Sequence, residues 1–400
     1  MRMLIPILVC SLCVQAVRAD DWFWIDAKIN GKRARLILDT GCEPNFALFR
    51  HAAERLHLNL QAGERRNADQ MPYWLTDECT IRLPWCFWGF ARAKGRLAVV
   101  EIPAFMRESI NMDGAVGWSI VRQRIVELDA VRQKFRFLRR LPKGANGWTR
   151  FTLKTNAPWG RVLALEMPEP DGSKGVIFVD TGALGTGVTL SRQRWQEWKV
   201  AHTNQHTTLV VKYGPEAGTF VREQGLADQL CLGALNLADV LIEEADPVTP
   251  RRLPDYAATF GLEALKRLDF IVDGKRRVAH LRTKQTPPPT YEHNRLGAVF
   301  VPRDEQSEDL VAHVMDNSPA SEAGIRNGDL LLRIGERDVT NWRTNQCGGW
   351  NSWTLPFSGP AGTRLELTLG RGNETLSTTV VLREILVPGT GTNSASPRSE

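Results

Sequence analysis

Two aspartates in this chain stand in the same local sequence and could act together as an acid–base pair. Asp39-Thr40-Gly41 follows the apolar run Leu36-Ile37-Leu38, and Asp180-Thr181-Gly182 follows Val176-Ile177-Phe178-Val179. A given tripeptide is expected about 0.1 times in a chain of this length. The repetition therefore predicts two strands that each deliver a carboxylate into a tight Thr-Gly turn, with the two aspartates facing each other.

The residues beside each aspartate suit this chemistry. Two carboxylates about 3 Å apart share one proton, because both cannot ionise, so one can activate water while the other protonates a carbonyl oxygen. Gly41 and Gly182 allow a sharp turn and offer an amide to the carboxylate, and the hydroxyls of Thr40 and Thr181 can bond across to the opposite loop. The titration belongs to the pair, so neither aspartate is assigned the acid or the base role.

The chain repeats one unit around each aspartate. Ala115-Val116-Gly117 ends 78 residues after Asp39 (117 − 39), and Thr259-Phe260-Gly261 ends 81 residues after Asp180 (261 − 180). A further aspartate follows each glycine by 12 residues, at positions 129 and 273. Nearly equal offsets indicate an internal repeat. Short alternating runs between these landmarks predict that each unit is a mostly β lobe of about 130 residues.

Local patterns place the elements that must hold the two aspartates. Asn30-Gly31 predicts a hairpin turn within the alternating segment 27–38, and helices are expected at 46–58 and 191–199, after each Asp-Thr-Gly loop. Residues 142–147 suggest a hinge between the lobes.

The two Asp-Thr-Gly loops, with Ile29-Asn30-Gly31-Lys32 before the first and Ala183 after the second, resemble the active-site loops of retropepsin-like aspartic proteases. The glycine turns at Gly117 and Gly261 resemble the second signature of that family. The resemblance covers residues 22–284 and implies a mostly β fold of two tandem β-barrel lobes, a pepsin-like pseudo-dimer, with flap hairpins over one cleft. Segments 71–76 and 211–219 are the flap candidates.

The resemblance implies an aspartic endopeptidase whose catalytic dyad is Asp39 and Asp180, supported by Thr40, Gly41, Thr181 and Gly182. The first loop departs from the family by continuing with Cys42, which leaves open whether this thiol tunes the site or silences it. Two alternatives also remain open: lobes that serve as a peptide-binding scaffold without hydrolysis, and Asp-Thr-Gly loops that pair with their copies in a second chain.

The C-terminal unit resembles a bacterial PDZ domain. The similarity rests on Asn317-Ser318-Pro319-Ala320 leading into Gly324-Ile325, and on Asn327-Gly328-Asp329 before an apolar strand. It implies that Leu296, Gly297, Ala298 and Val299 form a carboxylate-binding loop whose exposed amides receive a peptide C-terminus by strand addition. An ordinary first strand without a ligand is the alternative for this loop.

The N-terminus predicts a secretory signal, with Arg2 before the apolar core 4–14 and a cut after Val17-Arg18-Ala19. An uncleaved anchor is the alternative. The apolar segments after residue 19 are too short to span a bilayer. We therefore expect no integral membrane segment after cleavage, and a secreted or periplasmic location. Cys79 and Cys86 could bridge a hairpin in such a compartment, although the sequence fixes no pairing.

Several ligand classes are not expected. The formal net charge of +6 is spread along the chain rather than gathered in one basic run, so nucleic acid is not an expected partner. His202 and His206 have helical spacing but no third ligand beside them, and no metal or organic cofactor is implied. Cys347-Gly348-Gly349-Trp350 has no suitably placed histidine for a cysteine protease.

These features predict six regions. They are a signal peptide at 1–19, an N-terminal protease lobe at 20–142, a C-terminal protease lobe at 148–284, a Pro-rich linker at 285–294, a PDZ domain at 295–387 and a disordered tail at 388–400. The expected partners are a polypeptide substrate at the dyad and a C-terminal peptide at the PDZ loop.

Overall fold

The fold is mostly β and contains three sheets and five short α-helices among the described residues. The computed structural model describes residues 12–13, 22–63, 73–84, 92–102, 112–169, 172–183, 185–203, 205–214, 218–246, 248–249, 253–285, 291–304, 307–342 and 354–387. Within these ranges no helix is long and apolar enough to cross a membrane. The Pro-rich segment 287–289 and the predicted tail lie outside the described residues.

The first strand of the chain, β1 Leu12–Cys13, belongs to the second sheet, described below. The first sheet has nine strands. Its strands are β2 Trp24–Ile29, β3 Lys32–Asp39, β4 Phe46–Phe49, β5 Leu60–Ala62, β6 Tyr73–Thr76, β7 Cys79–Arg82, β8 Arg92–Gly95, β9 Ala98–Val100 and β10 Gly114–Gly117. Their order is β5-β6-β9-β4-β10-β3-β2-β7-β8. Asn30 and Gly31 have φ angles of 48° and 85°, which confirms the predicted hairpin turn between β2 and β3.

The second sheet has thirteen strands and joins the two halves of the repeat. Besides β1, its strands are β11 Ile125–Asp129, β12 Lys134–Leu138, β13 Thr149–Leu153, β14 Leu163–Pro168, β15 Lys174–Val179, β16 Val188–Leu190, β17 Thr207–Gly214, β18 Gly218–Leu232, β19 Leu235–Glu244, β20 Tyr256–Phe260, β21 Leu268–Asp273 and β22 Val278–Thr283. The order is β1-β17-β18-β19-β16-β20-β15-β14-β13-β22-β21-β11-β12. Because β11 pairs antiparallel with β21, strands that follow the first and second glycine turns share one sheet.

The third sheet has six strands and forms the C-terminal unit. Its strands are β23 Ala298–Pro302, β24 Leu310–Val314, β25 Leu330–Ile334, β26 Arg337–Asp338, β27 Arg364–Arg371 and β28 Glu374–Val381. The α-helices of the chain are α1 Arg50–Arg55, α2 Trp118–Val121, α3 Arg192–Ala201, α4 Leu262–Leu265 and α5 Pro319–Glu322. Short 3-10 helices occur at Lys143–Gly147, Trp159–Arg161 and Leu355–Ser358, the first of them within the predicted hinge.

The predicted repeat is visible in the strand pairing. β3, which ends at Asp39, lies parallel to β10, and β10 lies antiparallel to β4. β15, which ends directly before Asp180, lies parallel to β20, and β20 lies antiparallel to β16. A short helix follows each glycine turn, α2 after β10 and α4 after β20. The same local frame therefore surrounds each aspartate.

The predicted helix at 46–58 is wrong in its first part. Residues 46–49 form β4, and the helix that follows is limited to α1. All four residues of β4 are buried, and the strand pairs with β10 on one side and β9 on the other. Pairing on both edges overrides the local helical pattern. The second predicted helix, 191–199, corresponds to α3.

The two flap candidates fall on hairpins at corresponding places in the repeat. Residues 73–76 of the first form β6, which returns from β5, while 71–72 lie outside the described residues. The second spans the end of β17 and the start of β18, with 215–217 outside the described residues. In the first half, β6 pairs with β9, and β9 lies parallel to β4, the strand after the Asp39 loop. In the second half, β18 pairs with β19, and β19 lies parallel to β16, the strand after the Asp180 loop.

Cys79 is a free thiol, so the Cys79–Cys86 bridge that the spacing allowed is not formed. Its Sγ lies 3.3 Å from the carbonyl oxygen of Asp77 and 3.5 Å from Thr76 Oγ1. Cys86 and Cys347 lie outside the described residues.

Candidate active site

Each aspartate is held by the turn that follows it. The amide of Gly41 donates to Asp39 Oδ1 at 2.9 Å, and the amide of Gly182 donates to Asp180 Oδ1 at 2.8 Å. Cys42 adds a second amide to Asp39 Oδ1 at 3.0 Å. These three amides hold one oxygen of each carboxyl group. A hydrogen bond from an amide stabilises the ionised form of a carboxylate. In each aspartate this bond is made to Oδ1.

The two threonines join the loops through four reciprocal hydrogen bonds. The Thr40 amide donates to Thr181 Oγ1 at 3.0 Å, and the Thr181 amide donates to Thr40 Oγ1 at 3.1 Å. Thr40 Oγ1 in turn donates to the carbonyl of Val179 at 2.6 Å, and Thr181 Oγ1 donates to that of Leu38 at 2.7 Å. Both threonines are fully buried. The predicted bond from each hydroxyl to the opposite loop is therefore present in both directions.

The two carboxyl groups lie on either side of Gly41. A β-carbon added at Gly41 would lie 2.7 Å from Asp180 Cγ, while the Gly41 amide bonds Asp39. The exposed fractions of Asp39 and Asp180 are only 5% and 2%. Both carboxyl groups are therefore buried beside the same glycine, Gly41.

The glycine turns support the loops from behind. A β-carbon at Gly117 would lie 2.1 Å from the Pro44 carbonyl oxygen, and one at Gly261 would lie 2.4 Å from that of Thr186. The Gly117 amide bonds the Asn45 carbonyl, and the Gly261 amide bonds that of Gly187. Only glycine permits this approach of two backbones.

We expect Gly117→Ala and Gly261→Ala each to lower the free energy of unfolding by about 2 kcal/mol or more, because the added methyl group overpacks against backbone. Urea denaturation measures the loss. Gly144→Ala is the control, since a β-carbon there meets nothing within 4 Å. Equal stability of all three variants would contradict the backbone contacts.

Cys42 places a neutral thiol beside the aspartates. It is buried, and its Sγ lies 3.7 Å from the Pro44 carbonyl oxygen. Burial raises the pKa of the Cys42 thiol well above its ordinary value, and the nearby carboxylates Asp39, Asp180 and Glu43 raise it further. Because its pKa is raised, the thiol stays protonated at ordinary pH. The thiolate, not the thiol, is the reactive form of cysteine. It adds neither charge nor a nucleophile to the site.

A buried ion pair that the sequence does not predict lies beside the loop that follows Asp180. Lys212 Nζ lies 2.8 Å from Glu243 Oε1 and donates to Thr186 Oγ1 at 3.2 Å. The side chains of Lys212 and Glu243 are 4% and 6% exposed. Both lie in runs of consecutively buried residues, 208–212 of β17 and 240–243 of β19. Because a charged residue is ordinarily exposed, no local signal identifies them as buried.

The predicted peptide loop of the C-terminal unit lies at the start of β23 and is buried. The Leu296 amide donates to Asn294 Oδ1 at 2.9 Å, and the carbonyls of Leu296 and Gly297 accept from Ala320 and Met315. Leu296 and Ala298 are 0% exposed, and Val299 is 6% exposed. The expected exposure of this loop is therefore not observed, and at least one of its amides is bonded within the chain.

Local chemistry explains the helix that follows the loop. Ser318 caps α5, because its Oγ accepts from the Ser321 amide while Ser321 Oγ accepts from the Ser318 amide, a capping box with proline at the first helical turn. Gly324 and Gly328 have φ angles of 80° and 89°. The Ser-Pro and Gly-Asp signals of the sequence thus set the ends of this helix and the entry into β25.

Asp329 anchors β27 within the same unit. Its carboxylate accepts two bonds from Arg371, at 2.8 and 2.7 Å, and one from the Arg326 amide at 2.8 Å. Burial alone would raise the pKa of Asp329, but the bonds from Arg371 and Arg326 outweigh it and lower the pKa.

We expect Asp329→Asn to lower the free energy of unfolding of the C-terminal unit by about 2 kcal/mol, because a buried charge-assisted pair is broken. The folded pKa lies below the unfolded value of about 3.9, so this stabilisation is present above that pH and is lost as the pH falls through the folded pKa. Unfolding monitored between about pH 2 and 7 measures both effects. A variant with unchanged stability near neutral pH would contradict the assignment, and Asp316→Asn, at an exposed position, is the control.

Within the described ranges no group of three or more histidine, cysteine, aspartate or glutamate side chains is arranged to hold a metal ion.

Comparison with known proteins identifies the C-terminal unit. No curated protein matches the chain. Residues 286–347 match the family model of the PDZ domain. The match begins within the predicted linker and covers β23 to β26, and β27 and β28 continue the same sheet. The C-terminal part of this mostly β chain is therefore a PDZ domain, a module that binds peptide tails.

Proposed function

We propose that the protein is an aspartic endopeptidase of the retropepsin-like kind, with two lobes in one chain and one active centre built from Asp39 and Asp180. The observation that carries the proposal is the reciprocal bonding of Thr40 and Thr181, which fixes the two aspartate turns against each other. Two half-sites, each incomplete alone, compose one pair of acids. The repeated frame of strands around each aspartate supports the same reading.

The proposed reaction uses water as the nucleophile. The ionised carboxylate of the pair takes a proton from water as the oxygen attacks the peptide carbonyl carbon, and the protonated partner gives its proton to the carbonyl oxygen. The tetrahedral diol then collapses as its C–N bond breaks. One diol proton returns to a carboxylate, and a proton passes to the leaving nitrogen, so the products are a carboxylic acid and an amine and the pair again holds one proton.

The neighbours of the pair suit this reaction. Asp39 and Asp180 each accept a glycine amide, so the negative charge that moves between them meets fixed donors on both sides. The neutral Cys42 thiol adds no competing charge. We further propose a secreted or periplasmic location after removal of the N-terminal signal, and substrate recruitment by the PDZ domain.

A second function rests on the PDZ match alone, namely peptide capture without hydrolysis, with the lobes as a scaffold. The reciprocal threonine network favours hydrolysis, because a scaffold has no need of two buried carboxyl groups held together at a desolvation cost.

The proposal is tested by incubating the protein with an unstructured protein substrate across about pH 3–7 and sequencing the new termini by mass spectrometry. We expect internal cleavage that is strongest at acidic pH and blocked by a statine-type inhibitor. Absence of cleavage over the whole range, with peptide binding retained, would establish the scaffold function instead.

A further inference from the structure

The PDZ domain packs on the second lobe through its first strand. β23 lies against β17 and β18, the hairpin that contains the second flap candidate. β23 begins within the predicted carboxylate-binding loop, at Ala298, so this loop lies beside the hairpin. Two apolar residues after β28, Ile385 and Leu386, pack against Leu226 and Leu241 of the second lobe and extend the contact.

Asn294 bridges the two units at this surface. Its side-chain Nδ2 donates to the carbonyl of Leu209 in β17 at 2.9 Å and to that of Ala298 in β23 at 2.8 Å. Its main-chain carbonyl accepts from Thr208 Oγ1 at 2.8 Å. Asn294 is 7% exposed and Thr208 is fully buried. These bonds, together with Oδ1 bonded to the Leu296 amide, are called the Asn294 clasp below.

The other end of β17 touches the loop that follows Asp180. Lys212 is four residues from Thr208 in the same strand, and its ammonium bonds Thr186 Oγ1 and pairs with Glu243. The Thr186 carbonyl accepts from the Glu263 amide behind that loop. β17 is therefore attached to the PDZ domain at one point and to the aspartate loop at another.

The Asn294 clasp uses an amide that a peptide ligand needs. Leu296 belongs to the predicted carboxylate-binding loop, and its amide donates to Asn294 Oδ1. A peptide carboxylate received by the same N–H would have to displace Oδ1, because one N–H makes one good hydrogen bond. A carboxamide turned away from the Leu296 amide would lose the bond from Nδ2 to the carbonyl of Leu209.

We propose that a peptide C-terminus and the Asn294 clasp compete for the PDZ loop, so that ligand binding releases β17 and changes the support of the loop beside Asp180. Asn294 is thus a positioning residue that reports PDZ occupancy to the second lobe. This inference builds on the PDZ match and deepens the proposed function. Its test does not need hydrolysis, so its failure is distinguishable from failure of the proposed activity.

Hydrogen exchange of the intact protein tests the clasp itself. We expect Asn294→Ala to accelerate exchange of the β17 amides at least about tenfold, and Thr208→Val to act in the same direction with a smaller effect. Asn236→Ala is the matched control, because Asn236 is an exposed asparagine of β19. Unchanged β17 exchange in both clasp variants would overturn the proposal. Thr208→Val also guards against a folding defect of the asparagine variant.

A peptide pool tests the competition. The probe is a pool of randomised heptapeptides with a free C-terminal carboxylate, and the same pool with amidated C-termini is the control. We expect the free pool to accelerate exchange in β17 and in residues 185–190 of the wild type, and the amidated pool to have no effect.

Asn294→Ala is expected to bind the free pool about tenfold more tightly, because the internal competitor is removed. Its β17 exchange should not rise further on binding. Equal affinity of the variant and the wild type, an equal effect of the amidated pool, or no effect of the free pool would contradict the competition. A change in β17 without one in 185–190 would show that the coupling does not reach the aspartate loop.

Discussion

Asp39→Asn and Asp180→Asn are each expected to lower kcat/KM for peptide cleavage by at least about 10³-fold, since each removes one of two acids that act as a unit. An amide can neither take a proton from water nor supply one to the carbonyl oxygen, so either substitution would remove the proposed proton transfer, which needs both carboxyl groups. Cleavage of an unstructured protein, followed by mass spectrometry, measures the loss.

Asp129→Asn is the matched control, because Asp129 is a repeat-related aspartate whose carboxylate pairs with Arg132 and Lys284. It should retain cleavage within about twofold. Pairing of each aspartate with its copy in a second chain would leave one intact pair in each single variant. In that case Asp39→Asn would keep much of the activity, and only the double variant, Asp39→Asn with Asp180→Asn, would lose it. Cleavage that survives both single substitutions would falsify the dyad.

Thr40→Val and Thr181→Val are each expected to lower the free energy of unfolding by about 2–4 kcal/mol and to abolish most cleavage. Each substitution removes a hydroxyl that donates one bond and accepts another, and it leaves a buried amide and a buried carbonyl of the opposite turn unsatisfied. Because the four bonds form one network, the double variant should lose less than the sum of the two single losses.

Thr40→Ser and Thr181→Ser keep the hydroxyl and are the matched controls, expected to stay within about 1 kcal/mol of the wild type. Urea denaturation and the cleavage assay are read on the same samples. Additive losses in the double variant, or serine variants as unstable as the valine variants, would show that the two turns are not joined as described.

The parts of the site that could be predicted are those that depend on short sequence patterns. The apolar runs before each Asp-Thr-Gly predict strands, and the apolar-apolar-Gly patterns mark the glycine turns at Gly117 and Gly261. The Asn-Gly hairpin and the Ser-Pro helix start are short-range signals with one stable outcome. Each of these depends on residues within a few positions of the element concerned.

The remaining features depend on contacts between distant segments. β4 takes a strand conformation because β9 and β10 lie on its two edges, which no window of the sequence reports. Lys212 and Glu243 are buried because β17 and β19 bring them together beside Thr186. Asn294 stands at the end of a predicted linker, yet it is buried between two units. A polar residue has the same appearance in sequence whether it meets solvent or a partner.

A crystal structure of the protein with a statine-type inhibitor tests whether Asp39 and Asp180 form one active centre within a single chain. We expect the statine hydroxyl to lie within hydrogen-bond distance, about 2.6–3.2 Å, of both carboxyl groups of one chain. A structure in which the hydroxyl contacts carboxyl groups of two chains, or one in which the inhibitor leaves the two aspartates untouched, would contradict it.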